Sequence, residues 1–217
     1  MVRTHASVVT PMASDLFAKR LKKALDKRLP GKVKYMKTWD EKTRGIDWKR
    51  KSNPVALMVH HTAGAATSST RPSHPGNQKG ANKGVINFVQ NHYRVPAANF
   101  TLDRDGSLYC HTFFPCWHAG RGSFKGVDRF ARLNIPDDKA NDYLAGVEVV
   151  SKGLKKDFTA AQKKSLGLLA SAMQEAAGWK GFYMRLPNHR TWAPSRKVDS
   201  KYRLSTLRKW AAKYGVR

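Results

Sequence analysis

Apolar side chains recur at helical spacing in four segments of the chain. In the first segment Phe17, Leu21, Leu25 and Leu29 follow one another at intervals of four residues, which places them on one face of a helix. The other segments have similar spacing, and the third begins with a Ser/Thr-type capping box. The pattern predicts helices over residues 14–29, 84–93, 159–177 and from just after residue 200 to residue 215.

Shorter apolar or alternating runs predict strands between these helices. The runs at 55–59 (VALMV) and 143–150 (YLAGVEVV) have the pattern of buried strands. Residues 99–111 contain two alternating runs around Asp105-Gly106, which is typical of a hairpin turn. Strands interleaved with helices predict an α/β fold, with a central mixed β-sheet flanked by helices.

An excess of basic residues is the main compositional feature. The 217-residue chain has 41 Lys and Arg against 15 Asp and Glu, a formal net charge of +26. Such a charge favours a polyanionic partner, whether nucleic acid, anionic lipid or a cell-wall polymer. The basic residues form no clustered stripe, and no nucleic-acid-binding motif is recognised. A basic nucleic-acid-binding protein is therefore the weaker alternative, which steep salt-dependent binding to DNA or RNA would support.

The first 50 residues differ from the rest of the chain. We predict a basic N-terminal extension with an amphipathic helix at 1–50 and one larger domain at 51–217. Lys and Arg cover the face of the first helix that lies opposite its apolar stripe. The helix either docks on the main domain through that stripe, which we favour, or acts as a cationic element at membranes or wall polymers.

Targeting signals are not recognised in the sequence. No apolar run approaches the roughly 20 residues that cross a bilayer. The N-terminus lacks the apolar stretch of a secretory signal. We therefore expect neither a transmembrane segment nor export of the chain by its own signal.

Polar residues in two predicted strands are candidates for catalysis. His60 and His61 end the first strand; successive strand side chains point to opposite faces, so only one of them joins a given site, and periodicity does not say which. Glu148 lies between two valines in the strand at 143–150. Burial there raises the pKa of a carboxyl group, which suits a general base or acid.

A further polar cluster occupies residues 188–200 (NHRTWAPSRKVDS). Pro194 disfavours helix immediately before it, so we expect residues 195–199 to be extended. Lys197 and Asp199 then lie on the same side, where the ammonium can stabilise an oxyanion beside a carboxylate ligand. Catalytic zinc takes three ligands from His, Asp, Glu or Cys and keeps one position open, and this set of residues suits it.

Five motifs occur in the order seen in one known family. They are VHHTAG (59–64), NFTLDRDGSLY (99–109), WHAGRG (117–122), AGVEVV (145–150) and NHRTWAPSRKVD (188–199). With them, residues 53–215 resemble the type 2 N-acetylmuramoyl-L-alanine amidases, a family that includes phage endolysins, wall-recycling amidases and peptidoglycan recognition proteins. The resemblance implies the peptidoglycan recognition protein-like amidase fold.

The resemblance also implies the reaction and the residues that perform it. The reaction is zinc-dependent hydrolysis of the amide between N-acetylmuramic acid and L-alanine in bacterial peptidoglycan. The residues implied by matching positions are the Zn²⁺ ligands His60, His189 and Asp199, the catalytic residues Glu148 and Lys197, and the substrate-groove residues His61, Asn99 and His118.

Several alternatives stay open at this point. A protein of the same fold can bind peptidoglycan without cleaving it, although here all three zinc ligands are present. Cys110 and Cys116 are candidates for a local disulfide, or for a second zinc site with the two neighbouring histidines.

The missing export signal fits two cellular roles. One is a phage endolysin, expected to be a monomer that stays in the host cytoplasm until a pore-forming partner releases it to the wall. The other is a cytoplasmic recycling amidase. The basic charge, which favours retention on anionic wall polymers, favours the endolysin.

Overall fold

A mixed five-stranded sheet organises the described part of the chain. The computed structural model describes residues 13–39, 53–62, 83–91, 96–153, 156–181 and 185–214. Their elements, in chain order, are α1 (Ala13–Arg28), β1 (Val33–Tyr35), β2 (Ala56–His61), α2 (Lys83–Asn91), β3 (Phe100–Leu102), β4 (Leu108–Cys110), α3 (Asp128–Ala131), α4 (Ala140–Tyr143), β5 (Leu144–Val149), α5 (Ala160–Ala177), α6 (His189–Trp192) and α7 (Leu204–Lys213).

The sheet has the strand order β1-β4-β3-β5-β2. Only the β3–β4 hairpin is antiparallel, and the other three neighbouring pairs are parallel. The predicted turn of this hairpin is present, with Gly106 at a φ of 84°, which glycine adopts without strain. The predicted α/β fold with a central mixed sheet is therefore confirmed.

The predicted helices are present, with shifted ends. The capping box of Thr159 and Gln162 begins α5, and Gly178 ends it in the left-handed conformation. The last helix begins at Leu204, later than predicted. The ends predicted at residues 93 and 215 lie outside the described residues, as do parts of the motif at 59–64. No helix among the described residues is long and apolar enough to cross a membrane.

The two faces of the sheet pack against different parts of the chain. Alternation along β2 sends Leu57 and Val59 into the larger core with α1, α5 and α7. It sends Ala56 and Met58 into a second cluster, together with Trp192 and with aromatic residues from α3 and the loop before it. Because His60 has the same parity as Met58, its side chain lies on the second face.

Helix α1 is part of the larger core. All four residues of its predicted apolar stripe are buried, and α1 packs against α5. Arg28 adds a hydrogen bond of 3.1 Å from its Nε to Ser171 Oγ and an ion pair with Glu175. Of the two interpretations of the first helix, the structure shows the docked one. The domain boundary near residue 50 stays a prediction.

Shortening a buried side chain of α1 is expected to destabilise the whole domain. Leu25 is completely buried, so Leu25→Ala is expected to lower the free energy of unfolding by about 3 kcal/mol. Leu16 lies on the same helix with 44% of its surface exposed, so Leu16→Ala is the matched control and should change it by less than about 0.5 kcal/mol. Denaturant unfolding measures both. If Leu25→Ala changed the free energy of unfolding as little as Leu16→Ala, α1 would not stabilise the domain.

Candidate active site and metal centre

Two adjacent parallel strands present the first two site residues. His60 on β2 and Glu148 on β5 are register partners, so their side chains leave the same face of the sheet next to each other. Thr101 on β3 is the next partner of Glu148 in this row. The rigid strand pairing therefore fixes the separation between the imidazole and the carboxyl group.

His189 reaches the same face from a segment that runs along β2. The amide of Val59 donates to the carbonyl of Pro187 at 2.9 Å, which holds this segment beside the strand. Asn188 then caps α6, accepting a 3.0 Å hydrogen bond at Oδ1 from the amide of Thr191. His189 is the first residue of that short helix, so the cap fixes the position of its Cα atom.

Asp199 follows a turn rather than an extended run. The carbonyl of Ala193 accepts from the amides of Arg196 (3.1 Å) and Lys197 (2.8 Å), which closes a turn over residues 194–196. The prediction that residues 195–199 are all extended was therefore wrong for residues 195 and 196. The amide of Arg190 donates to the carbonyl of Asp199 at 2.5 Å, which ties this loop to α6.

Three predicted zinc ligands converge on one point. Nδ1 of His60 lies 2.9 Å from Nδ1 of His189. Oδ2 of Asp199 lies 3.3 Å from the first nitrogen and 3.0 Å from the second. All three residues are buried, and no other such group of three metal-binding side chains occurs in the part of the chain that the structure describes.

The rings of His60 and His189 each form a hydrogen bond through Nε2, on the side away from the cluster. These bonds leave the Nδ1 atoms of both residues with lone pairs. Nε2 of His189 lies 2.8 Å from the carbonyl of Ala119, which can only accept, so this nitrogen carries the proton. Nε2 of His118 lies 3.2 Å from the carbonyl of Leu144 and is a donor for the same reason. In its neutral form, His118 then accepts at Nδ1 from Nε2 of His60, 3.2 Å away.

Three electron-pair donors thus face one another at 2.9–3.3 Å. Lone pairs at this separation repel unless a cation lies among them. Ligands of a tetrahedral zinc ion, about 2.0–2.1 Å from the metal, are about 3.3 Å apart. The donor types, their spacing and their burial therefore fit a zinc ion with an open fourth position.

The electrostatics of the cluster favour ligands without bound protons. Burial and the neighbouring His189 lower the pKa of His60 to about 4, although Asp199 opposes the shift. Burial alone would raise the pKa of Asp199, but the close contacts of its carboxylate with the imidazoles of His189 and His60 outweigh this and hold the pKa well below its usual range. Neutral imidazole and ionised carboxylate are the forms that bind metals.

Glu148 lies beside this cluster with an unsatisfied oxygen. Burial, followed by the negative charge of Asp199, raises the pKa of Glu148 to about 8, against the opposing effect of Lys197. Its Oε2 is buried with no hydrogen-bond partner among the described residues. A carboxyl group with a raised pKa and a free oxygen is suited to exchange protons with a bound molecule.

Lys197 contributes positive charge to the same region. It is partly buried, and its charge lowers the pKa values of both His60 and Glu148. The turn before it directs residues 197–199 back towards the sheet. The structure therefore brings together the five residues predicted to bind metal or to act in catalysis: His60, Glu148, His189, Lys197 and Asp199.

The three residues predicted to line the substrate groove have different surroundings. His61 has the opposite parity on β2 from His60, and burial lowers its pKa. His118 is buried behind His60, with ring centroids 5.3 Å apart in an edge-to-face arrangement. Contact of either residue with substrate stays a prediction.

Asn99 is almost completely buried and bonds internally. Its Nδ2 donates to the carbonyls of Thr112 (3.0 Å) and Phe114 (2.8 Å). Its Oδ1 accepts from the amide of Gly146 at 2.8 Å and from the thiol of Cys116 at 3.3 Å. These bonds join β5 to the loop after β4, and the predicted contact of Asn99 with substrate stays a prediction.

The alternative Cys/His set does not converge. Cys110 and Cys116 are both buried thiols that are not joined in the predicted local disulfide. His111 pairs with Thr101 (2.8 Å between Nε2 and Oγ1), whereas His118 contacts His60. The group of three metal-binding residues found among the described ranges contains none of these four.

Two loop contacts were not predicted from the sequence. Oδ1 of Asn141 accepts from the backbone amides of His118 (3.1 Å) and Ala119 (2.8 Å). The guanidinium of Arg196 donates to the carbonyls of Ala119 and Arg121. Only the glycines of the motif at 117–122 signal this close packing: a Cβ at Gly122 would lie 2.5 Å from the carbonyl oxygen of Trp192.

A sequence model of the N-acetylmuramoyl-L-alanine amidase family matches residues 50–201, well over half of the chain. The chain belongs to this family. The resemblance of the five motifs is thereby confirmed. No curated protein matches the amidase significantly in sequence.

The solved structures that are similar to the chain include two proteins named N-acetylmuramoyl-L-alanine amidases. The endolysin N-acetylmuramoyl-L-alanine amidase LysCS from Clostridium intestinale URNW has a TM-score of 0.50 and 15% identity, covering 82% of this amidase and 94% of its own chain. LysC from the same organism has a TM-score of 0.49 and 17% identity, with coverages of 86% and 99%. A selenomethionine derivative of AmpD has a TM-score of 0.47 and 23% identity, with coverages of 73% and 85%. The likeness to LysCS supports a shared fold.

Proposed function

We propose that the amidase hydrolyses the amide bond between N-acetylmuramic acid and L-alanine of bacterial peptidoglycan, with Zn²⁺ bound by His60, His189 and Asp199. The observation that carries the proposal is the convergence of three buried electron-pair donors within 3.3 Å. The half-buried carboxyl group of Glu148 and the ammonium of Lys197 stand beside them, as amide hydrolysis requires. Membership of the amidase family supports the choice of bond.

The side chains have separate tasks in this reaction. A bound zinc ion supplies Lewis-acid activation of a water molecule and of the scissile carbonyl. Glu148 accepts a proton from the attacking water through its free Oε2 and returns it to the leaving amine of L-alanine. Lys197 faces the developing oxyanion and stabilises its negative charge. The carboxylate of Asp199 stays ionised throughout, because its two imidazole neighbours favour that form.

Glu148 must lose its proton before it acts as a base. In the zinc-free protein its pKa is raised to about 8, mainly by burial. A divalent cation in the neighbouring cluster opposes that shift, since positive charge favours the carboxylate. Zinc binding and activation of the base are therefore coupled: loading the cluster with metal is expected to ionise Glu148 at neutral pH.

Digestion of purified peptidoglycan tests the proposal. Incubation of zinc-loaded amidase with sacculi is expected to release stem peptides with a free L-alanine amino terminus, and to leave N-acetylmuramic acid with a free lactyl carboxyl group. Mass spectrometry of the products identifies the broken bond. Cleavage elsewhere would refute the assigned reaction, and binding without products would favour the non-hydrolytic alternative of the same fold.

We further propose that the amidase acts on the intact wall as a phage endolysin. The net charge of +26 supports this role, because carboxylates and phosphates of wall polymers attract a strongly basic protein. LysCS, whose fold is similar, is itself named an endolysin. Rates on intact sacculi and on soluble wall fragments distinguish the roles: an endolysin is expected to prefer sacculi at low salt, whereas a recycling amidase prefers the fragments.

A further inference from the structure

We infer that His118 is a positioning residue, which fixes the ring orientation in which His60 presents Nδ1 to the metal. The adjoining carbonyl of Ala119 fixes the ring of His189 so that it also presents Nδ1. The inference rests on the proposed zinc function and adds a second layer to it. One dipeptide, His118-Ala119, would then set the donor atoms of both histidine ligands.

The hydrogen bonds of His118 have one consistent direction. Nε2 of His118 must donate to the carbonyl of Leu144, 3.2 Å away, since a carbonyl has no proton to give. In the neutral ring, Nδ1 of His118 is then the acceptor for Nε2–H of His60, also at 3.2 Å. The proton on Nε2 leaves the lone pair of His60 on Nδ1, which faces His189 and Asp199. A ring flip of His60 would forfeit this bond.

The backbone beside His118 restrains the second ligand. The carbonyl of Ala119 accepts from Nε2 of His189 at 2.8 Å, which again leaves Nδ1 unprotonated and directed at the cluster. Both ligands are thus oriented from behind by groups one residue apart. Such outer contacts fix the tautomer of a histidine ligand and commonly contribute 10–100-fold, roughly, to metal affinity.

The dipeptide is itself held rigidly against β5. Oδ1 of Asn141 accepts from the amides of both His118 and Ala119, at 3.1 and 2.8 Å. The ring of His118 packs directly over Gly146, where an added Cβ would lie 2.5 Å from its Cγ. A side chain at position 146 would therefore displace the imidazole. Both features keep His118 within hydrogen-bond reach of His60.

A pair of variants separates the hydrogen bonds from the packing. His118→Leu keeps a similar side-chain volume for packing, but leucine offers no hydrogen-bond acceptor to His60. His118→Gln can again accept with Oε1 and donate with Nε2. We expect His118→Leu to raise the dissociation constant for Zn²⁺ by about 10–100-fold, and His118→Gln to bind Zn²⁺ about tenfold more tightly than His118→Leu. Competition with a chromophoric chelator measures these constants.

His111→Leu is the matched control for loss of a buried imidazole. His111 is completely buried and bonds to Thr101 rather than to a ligand residue. It should cost stability, as His118→Leu does, but leave the dissociation constant for Zn²⁺ within about twofold of the parent. Denaturant unfolding of the zinc-free proteins reports the stability cost separately.

Nitrogen NMR of the unsubstituted, zinc-loaded amidase gives an independent reading. The side-chain ¹⁵N shifts are expected to show His118 as the Nε2–H tautomer with an accepting Nδ1. This measurement holds even if His118→Leu fails to fold. An Nδ1–H tautomer at His118, or unchanged zinc affinity in folded His118→Leu, would overturn the inference. If the parent itself bound no zinc, the proposed function would fail instead.

Discussion

Replacing His189 with alanine is expected to abolish zinc binding and amide hydrolysis together. His189 supplies one of three electron-pair donors, and its Nδ1 lies within 3.0 Å of the other two. Two remaining donors cannot hold the ion against competing water and buffer. Because metal activation contributes several kcal/mol to the transition state, the rate of amine release should fall by at least about 10³-fold.

Zinc content and hydrolysis are measured on the same samples. Elemental analysis after gel filtration reports bound zinc, and release of free L-alanine amino termini from sacculi reports hydrolysis. His61→Ala is the control for zinc content, because His61 is buried on the opposite face of β2 and lies outside the ligand cluster. Stoichiometric zinc in His189→Ala, or its loss in His61→Ala, would show that the ligand set is different.

The fold was largely predictable because hydrophobic periodicity is local. The stripe from Phe17 to Leu29 predicted both α1 and its buried face, since four apolar residues at that spacing form one helix face that is stable when packed against a core. The hairpin followed in the same way from its alternating runs and the Asp-Gly turn. The turn at 194–196 was missed because it depends on one carbonyl, that of Ala193, which accepts two amides.

The site was predictable in its side chains but not in their support. Parity along β2 places His60 and His61 on opposite faces, and the structure decides between them because Met58 and His60 share the face that the loops cover. The motifs pointed to His60, His189 and Asp199, and the structure brings these three side chains together. Backbone carbonyls such as those of Ala119 and Leu144 have no sequence signature, so the hydrogen bonds that orient the ligand rings appear only in three dimensions.

Glu148→Gln is expected to retain zinc but to lose most of the turnover. Glutamine has the same shape and can be buried at the same place, yet it cannot take a proton from water. General-base catalysis contributes typically 10²–10⁴-fold, roughly, so kcat should fall by about that factor while the zinc content stays stoichiometric. The ligand triad does not include Glu148, so its geometry is expected to persist.

The same substitution has an expected effect on stability. The pKa of Glu148 is raised to about 8 in the folded protein, above its ordinary value of 4.5, so folding disfavours the ionised form. The contribution of Glu148 to the free energy of unfolding of the zinc-free protein should therefore decrease as pH rises from about 4.5 to about 8, and it is measured as the pH-dependent difference between the parent and Glu148→Gln. Glu148→Gln should lack this decrease and be the more stable protein at pH 8.

Glu175→Gln is the matched control, since it makes the same chemical change on α5, where Glu175 is half exposed and pairs with Arg28. It should leave both zinc content and kcat unchanged. If zinc-loaded Glu148→Gln instead turned over within about tenfold of the parent, another group would have to accept the water proton. Glu148 would then be only a structural neighbour of the zinc ligands, and the general base would be another residue on the same face of the sheet.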